Sequence, residues 1–385
     1  MANLGERLQS VRKRRGLTQR ELAQASNVSV SLVRKIEQGE RDDTRIETLR
    51  RMAVALDCPV FVLLGPNLGA PESDGGNLWL PTRTAILSPK DVQDSGSVAD
   101  RAMAEALTGA VKLYHDNEYE RLAAVLPRLI EAGYAGSPLL RSRILQLAGS
   151  VLVQTRQLQA ARVALERSLA EAEATGNVLD AASAVVTLCW LLLVERQFEK
   201  VRELATQWAD RVEPRLSVAT TEEISTWGWL LLRASAAAIR DNRSDEADDM
   251  MRLAQAGAVA VRRPPGGYHQ YWTTFDAATV AMKRVENAVV DDRPDLALRL
   301  ARNVPVGLRP TSDNRNRHLL DVAHAHVELR RYDAACETLF RLSREARPWL
   351  IEQRMARDLV GRIITRRRTL TAEMRELADL VRLEY

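Results

Sequence analysis

Apolar positions in the first sixty residues recur at intervals of three and four, with charges between them. That spacing puts one apolar stripe on each of several short helices. Leu4, Leu8 and Val11 mark the first, which Gly16 ends. Thr18 followed by Glu21 has the pattern of a capping box, in which each side chain satisfies a free N–H of the other's turn. The helix it opens, QRELAQAS, buries Leu22 and Ala23. After a break at Asn27-Val28, Ser29 caps a third helix, VSLVRKIEQ, which buries Val33 and Ile36 and closes at Gly39. Thr44 and Glu47 predict a second capping box ahead of IETLRRMAVAL, and Pro59 opens a last apolar segment, VFVLL. Five short helices are expected over residues 1–65. Ala23 is small where the second and third helices must approach, and the tight turn between them pushes the third helix outward.

Residues 66–97 lose the helical period and are dense in Gly, Pro, Ser and Asp. They read as a linker or extended arm. Leu78, Trp79 and Leu80 interrupt it, and such a cluster is expected to dock, within the chain in preference to a second subunit.

From Val98 to residue 385 the helical period returns, punctuated by similar turns. The last residues of these turns are Tyr119, Leu158, Phe198, Ser244, Pro294 and Tyr332, spaced by 39, 40, 46, 50 and 38. Three residues after each comes Leu122, Ala161, Val201, Ala247, Ala297 or Ala335. Seven after comes Leu126, Leu165, Ala205, Met251, Ala301 or Leu339. A small or apolar residue at both offsets predicts six helical hairpins, with residues 348–385 as a C-terminal cap. One hairpin cannot bury both faces, so neighbours are expected to stack into a solenoid. The longer spacings imply loop insertions, of which Pro264-Pro265-Gly266-Gly267 is the clearest. The expected class is all-α.

Composition agrees, with Ala, Leu and Arg abundant and aromatics at 5%. The net charge of +4 is carried entirely by residues 1–57, which hold twelve Lys/Arg and eight Asp/Glu. A basic excess confined to one segment fits a polyanionic partner there. Cys58, Cys189 and Cys336 are far apart, with no CxxC pair, so neither a metal site nor a disulfide framework is indicated. The start of the chain lacks a signal-peptide core, and no apolar run approaches membrane length. The expectation is a soluble cytoplasmic protein without a membrane partner. No Walker loop, HExxH, GxSxG or kinase signature occurs, and no cofactor or catalytic residue is predicted.

The string LTQRELAQASNVSVSLVRKIEQGER resembles the lambda-repressor/Cro-like, or XRE-type, helix-turn-helix family. Leu17, Thr18, Gln19, Leu22, Ala23, Val28, Ser29, Val33, Glu37 and Gly39 carry the resemblance. Asn27 stands where that family usually has Gly, and Asn tolerates the left-handed backbone needed there. The resemblance implies that the third helix reads the major groove of a double-stranded DNA operator. Gln19 would fix register on a phosphate. Ser29, Val30, Ser31, Leu32 and Lys35 would lie at the groove, with Arg34 reaching a phosphate or base. Arg41 and Arg45 would hold the DNA backbone. Arg12 and Glu37 would form an ion pair between the first and third helices. With Val30 and Leu32 apolar, direct readout is modest and DNA shape gains weight. Leu32 is equally a core candidate, and Arg34 and Lys35 also fit as solvated charges.

The body resembles tetratricopeptide repeats, in longer and degenerate units. The whole is similar to bacterial regulators with an XRE-type head and a tetratricopeptide-like body. In some of these the concave face binds a signalling peptide and the body makes the homodimer. Two first helices stand out as a ligand site. One follows Tyr271 and Trp272 and carries Lys283 and Asn287; the other opens with Asn314, Arg315 and Arg317. Together they suit a carboxylate or phosphate; otherwise the aromatics fill gaps and the polar groups are solvated. His324 and His326 read as structural, and Trp190, Trp208, Trp227 and Trp229 as core. The functional expectation is a transcriptional regulator whose repeats dimerise and sense a peptide, a small-molecule effector or a protein partner. The alternative is a protein-interaction scaffold with a vestigial or merely localising head.

Overall fold

The computed structural model describes residues 4–40, 44, 46–58, 60, 63, 78–88, 97–261, 274–305, 312–366 and 371–381. Among these, every regular element is a helix, and none is long and apolar enough to cross a membrane.

The head begins with α1 (Leu4–Arg14), α2 (Gln19–Ala25), α3 (Val30–Glu37) and α4 (Ile46–Ala55). The Thr18 capping box is complete: Thr18 Oγ1 accepts from Glu21 N at 3.2 Å, and Glu21 Oε2 accepts from Thr18 N at 2.7 Å. Asn27 takes the left-handed conformation (φ 51°) in the turn between α2 and α3. Ser29 Oγ then accepts from Leu32 N at 3.2 Å, starting α3. Gly5 sets the approach of α1 to α3, because a Cβ there would stand 2.2 Å from the Ile36 carbonyl oxygen. The second expected capping box is not seen among the described residues, and Arg45 between its two members lies outside them. Thr44 Oγ1 is buried and has no hydrogen-bond partner among the described residues. Of the VFVLL segment, Val60 and Leu63 are described and fully buried, and Arg7 Nε donates to the Leu63 carbonyl at 2.8 Å.

The expectation of an arm without helix is corrected at residues 80–87. These form α5 (Leu80–Leu87), with Pro81 in its first turn, where a missing N–H costs nothing. Trp79 is buried edge-on against Tyr119, and Arg167 donates to the Ile86 carbonyl at 2.7 Å. The segment therefore docks on its own chain.

Six hairpins follow. They are α6 (Ser97–His115) with α7 (Tyr119–Gly133), α8 (Pro138–Gln154) with α9 (Leu158–Ala174), and α10 (Val178–Val194) with α11 (Phe198–Arg211). Next come α12 (Thr221–Arg240) with α13 (Ser244–Ala260), α14 (Ala277–Val290) with α15 (Pro294–Ala301), and α16 (Ser312–Glu328) with α17 (Tyr332–Glu345). The six hairpin turns share one backbone. Asn117, Arg156, Arg196, Asn242, Asp292 and Arg330 all sit at φ between 56° and 65°. The next N–H reaches back five residues, as from Gln157 to Leu152 O at 2.8 Å, satisfying a carbonyl left over at the helix end. The residue three past each anchor is fully buried in all six hairpins. At seven past, Ala301 is only half-buried, because α15 ends there.

First helices stack on first helices, in the order α6, α8, α10, α12, α14, α16. The C-terminal helices α18 (Arg347–Ile351), α19 (Arg354–Arg366) and α20 (Ala372–Leu380) follow, and α19 packs on α16. The stack curls on itself: Tyr114 of the first hairpin and Asp313 of the sixth line one cavity. The first helices thereby enclose a central cavity. Helix α4 of the head lies at one end of it, where inner helices finish. Arg50 donates to Val290 O, the last carbonyl of α14, at 2.7 Å and to Asp291 Oδ1 at 2.7 Å. Arg196 returns a hydrogen bond to the Thr44 carbonyl at 3.2 Å.

Candidate functional site

Helix α3 presents Ser31, Arg34 and Lys35 to solvent. Val33 and Ile36 are buried on its other face. The helix is held from behind by a bidentate ion pair. Arg12 Nε lies 2.6 Å from Glu37 Oε1 and Arg12 Nη2 lies 2.8 Å from Glu37 Oε2. Arg12 Nη1 also reaches the Leu17 carbonyl at 2.7 Å, tying the pair to the turn before α2. Burial alone would raise the Glu37 carboxyl, but the bonds from Arg12 and Gln19 outweigh it and hold it below the usual range.

The other head residues divide clearly. Gln19 Nε2 donates to Glu37 Oε2 at 2.7 Å, so this amide is held by the ion pair. Ser29 is exposed at the N-cap of α3. Val30 and Leu32 are half-buried and lean on the core, which leaves Ser31, Arg34 and Lys35 as the freely exposed polar set. Arg41 and Arg45 lie outside the described residues.

The second site is the central cavity, about 630 Å³, walled by the first helices, α19 and α4. Its surface holds ten Arg and Lys side chains against five carboxylates. Lys283 Nζ sits 2.9 Å from Glu286 Oε2, and Arg240 Nη2 sits 2.5 Å from Glu286 Oε1. Burial alone would raise the Glu286 carboxyl, but Lys283, Arg240 and Arg317 overcome this and hold it well below the carboxylate range. Burial pushes the Lys283 ammonium down, and Arg233 adds to that against the pull of Glu286. Arg233 stands between Trp190 and Trp229, with ring centroids 5.9 and 5.2 Å from Cζ. Burial pushes its guanidinium down to about 10.

Of the residues expected to grip a ligand, Lys283, Asn314 and Arg317 line this cavity. Asn287 does not: its Nδ2 donates to Ser235 Oγ at 2.8 Å, between two neighbouring first helices. Arg315 does not either: it turns outward and pairs with Glu345 at 2.6 Å. One helical step separates Arg315 from Asn314, enough to change its face. Tyr271 and Trp272 lie outside the described residues. His324, expected to be structural, is buried at the wall with Nε2 3.1 Å from Glu328 Oε1.

Sequence reading missed the opposite wall. Gln146, Ser150 and Gln154 of α8 and Ser183 and Thr187 of α10 face the cavity. Gln146 Nε2 donates to Ser183 O at 2.9 Å and to Thr187 Oγ1 at 3.0 Å. The available signal was polar residues four apart inside otherwise apolar helices. Arg233 was missed because α12 reads as apolar almost all round. The contribution of α4, through Glu47, Thr48 and Arg51, has no local sequence signal.

Neither the curated proteins nor the solved structures give a match to the chain. Over residues 8–63 it matches a family model described as helix-turn-helix, and that segment is similar to this DNA-binding family.

Proposed function

We propose that the chain is a sequence-specific DNA-binding transcriptional regulator whose tetratricopeptide-like body dimerises and senses an effector. One observation carries the reading. Over the segment that matches the helix-turn-helix family, α3 is rigidly backed by Arg12–Glu37 and keeps Ser31, Arg34 and Lys35 exposed. Those side chains suit hydrogen bonds to base edges and phosphates in a major groove. Arg41 and Arg45 follow α3 in the chain and add phosphate contacts. Gln19, already oriented by Glu37, fixes register. Two heads held by a dimeric body meet half-sites about 34–36 Å apart, one turn of the duplex. The body acts by binding rather than by catalysis.

Footprinting of the full chain on candidate regulatory DNA tests this. A discrete protected site, weakened by Ser31→Ala with Lys35→Ala, is the expected result. Protection that is sequence-blind and vanishes with salt favours the scaffold reading, in which the head only localises the complex.

A further inference from the structure

Arg233 differs from the cations beside it in the central cavity. It is half-buried among the inner helices, and its Nε donates to Val186 O at 3.1 Å. No carboxylate among the described residues pairs with it, and its terminal nitrogens have no acceptor there. Its neighbours Arg240, Lys283 and Arg317 each have a carboxylate partner. A half-buried guanidinium that faces a cavity without a counter-ion leaves its charge for an arriving anion.

The wall around it is aromatic. Trp190, Trp229 and Trp349 all line the cavity, in a chain with only seven tryptophans. Trp349 Nε1 and His324 Nδ1 are buried there and have no hydrogen-bond partner among the described residues. The cavity volume of about 630 Å³ falls within the range for one small molecule.

We propose that the central cavity binds a small molecule with a planar ring and one anionic group, a carboxylate or a phosphate. The anion sits on the Arg233 guanidinium, and the ring lies against the tryptophan wall. Glu47, Thr48 and Arg51 of α4 belong to the wall of the same cavity, so the head borders the space that the occupant enters. The site stands on the cavity itself; only its consequence for DNA rests on the sensing reading above.

Calorimetric titration of the full chain with phenyl phosphate, benzoate and uncharged benzamide tests the site. Saturable one-site binding of phenyl phosphate or benzoate is expected, with benzamide weaker by at least about tenfold. The tighter of the two anions identifies the headgroup. Arg233→Met, which keeps the apolar stem, weakens the anion by about tenfold or more, and Arg51→Met by a smaller factor. Arg315→Met, outside the cavity, leaves binding unchanged. The comparison with benzamide needs no variant, so a misfolded Arg233→Met does not rescue the idea. No saturable binding of either anion at millimolar concentration, or equal binding of benzamide, overturns it. Full affinity in a folded Arg233→Met does so too. If phenyl phosphate binds but leaves operator affinity unchanged, the site stands and the sensing reading falls.

Discussion

Arg50 of the head clasps the end of α14, donating to Asp291 Oδ1 and to the Val290 carbonyl, each at 2.7 Å. The contact joins a charge pair to a helix C-terminus, where unsatisfied carbonyls favour a cation. With Arg196 on the Thr44 carbonyl, it ties the head to the body at one end of the cavity.

A double-mutant cycle measures that clasp. Arg50→Met and Asp291→Asn should each destabilise the full chain by about 1–3 kcal/mol. Together they should cost less than the sum, since both remove one contact. Strict additivity in urea denaturation would mean the Arg50–Asp291 pair carries no energy.

The ion pair behind α3 is more demanding. Arg12→Met leaves the Glu37 carboxylate buried and short of its main partner, and should cost about 3–5 kcal/mol. The double change Arg12→Met with Glu37→Leu should recover much of that loss, because no buried charge remains. Helical circular dichroism and DNA affinity would fall together in the single variant. A loss below about 1 kcal/mol contradicts the buried-pair account.

The hairpin turns make a backbone prediction. Arg330 is exposed and left-handed (φ 57°). Arg330→Gly should be neutral or stabilising by up to about 1 kcal/mol. Arg330→Val should cost about 1–2 kcal/mol, because a branched side chain resists that conformation. Thermal melting of both variants decides it, and equal melting would show that the turn does not require the left-handed state.

Two groups titrate in opposite senses. Burial pushes the Asp313 carboxyl up to about 6, against the opposing influence of Tyr114. Its unfolded value is about 3.9. Between these values the folded chain holds the extra proton, so stability on this group falls as pH rises from about 4 through about 6. Burial pushes the His318 imidazole down to about 4, helped by Lys283 and Arg315. The unfolded chain takes that proton first, so stability on this group falls as pH drops below about 6.5. Asp313→Asn should gain on the wild type as pH rises, and His318→Gln should gain as pH falls. Denaturation midpoints that differ by a constant across this range contradict both assignments.

Local signals in the sequence carried a good part of this fold. The Thr18–Glu21 box, the left-handed Asn27 and the repeated turns were legible because each is specified within a few residues. The Thr44 box was less legible, since T-x-x-E does not by itself say where a helix starts. Helix α5 was hidden by the Gly- and Pro-rich stretch around it, and tertiary docking of Trp79 overrides that local composition. The cavity was legible only in fragments. Lys283, Asn314 and Arg317 lie on helices that look polar, whereas Arg233 and Gln146 lie on helices that look like core. Which face of a first helix turns inward is decided by how hairpins stack, and no single period encodes that.

The most direct test of the account is selection of bound fragments from a random DNA library at near-physiological salt. The full chain and its Ser31→Ala/Lys35→Ala variant would be compared. The account predicts that the wild type enriches a near-palindromic sequence with half-sites one helical turn apart, and that the variant does not. No enriched sequence, or the same sequence enriched by both proteins, would contradict the assignment of α3 as the reader of DNA.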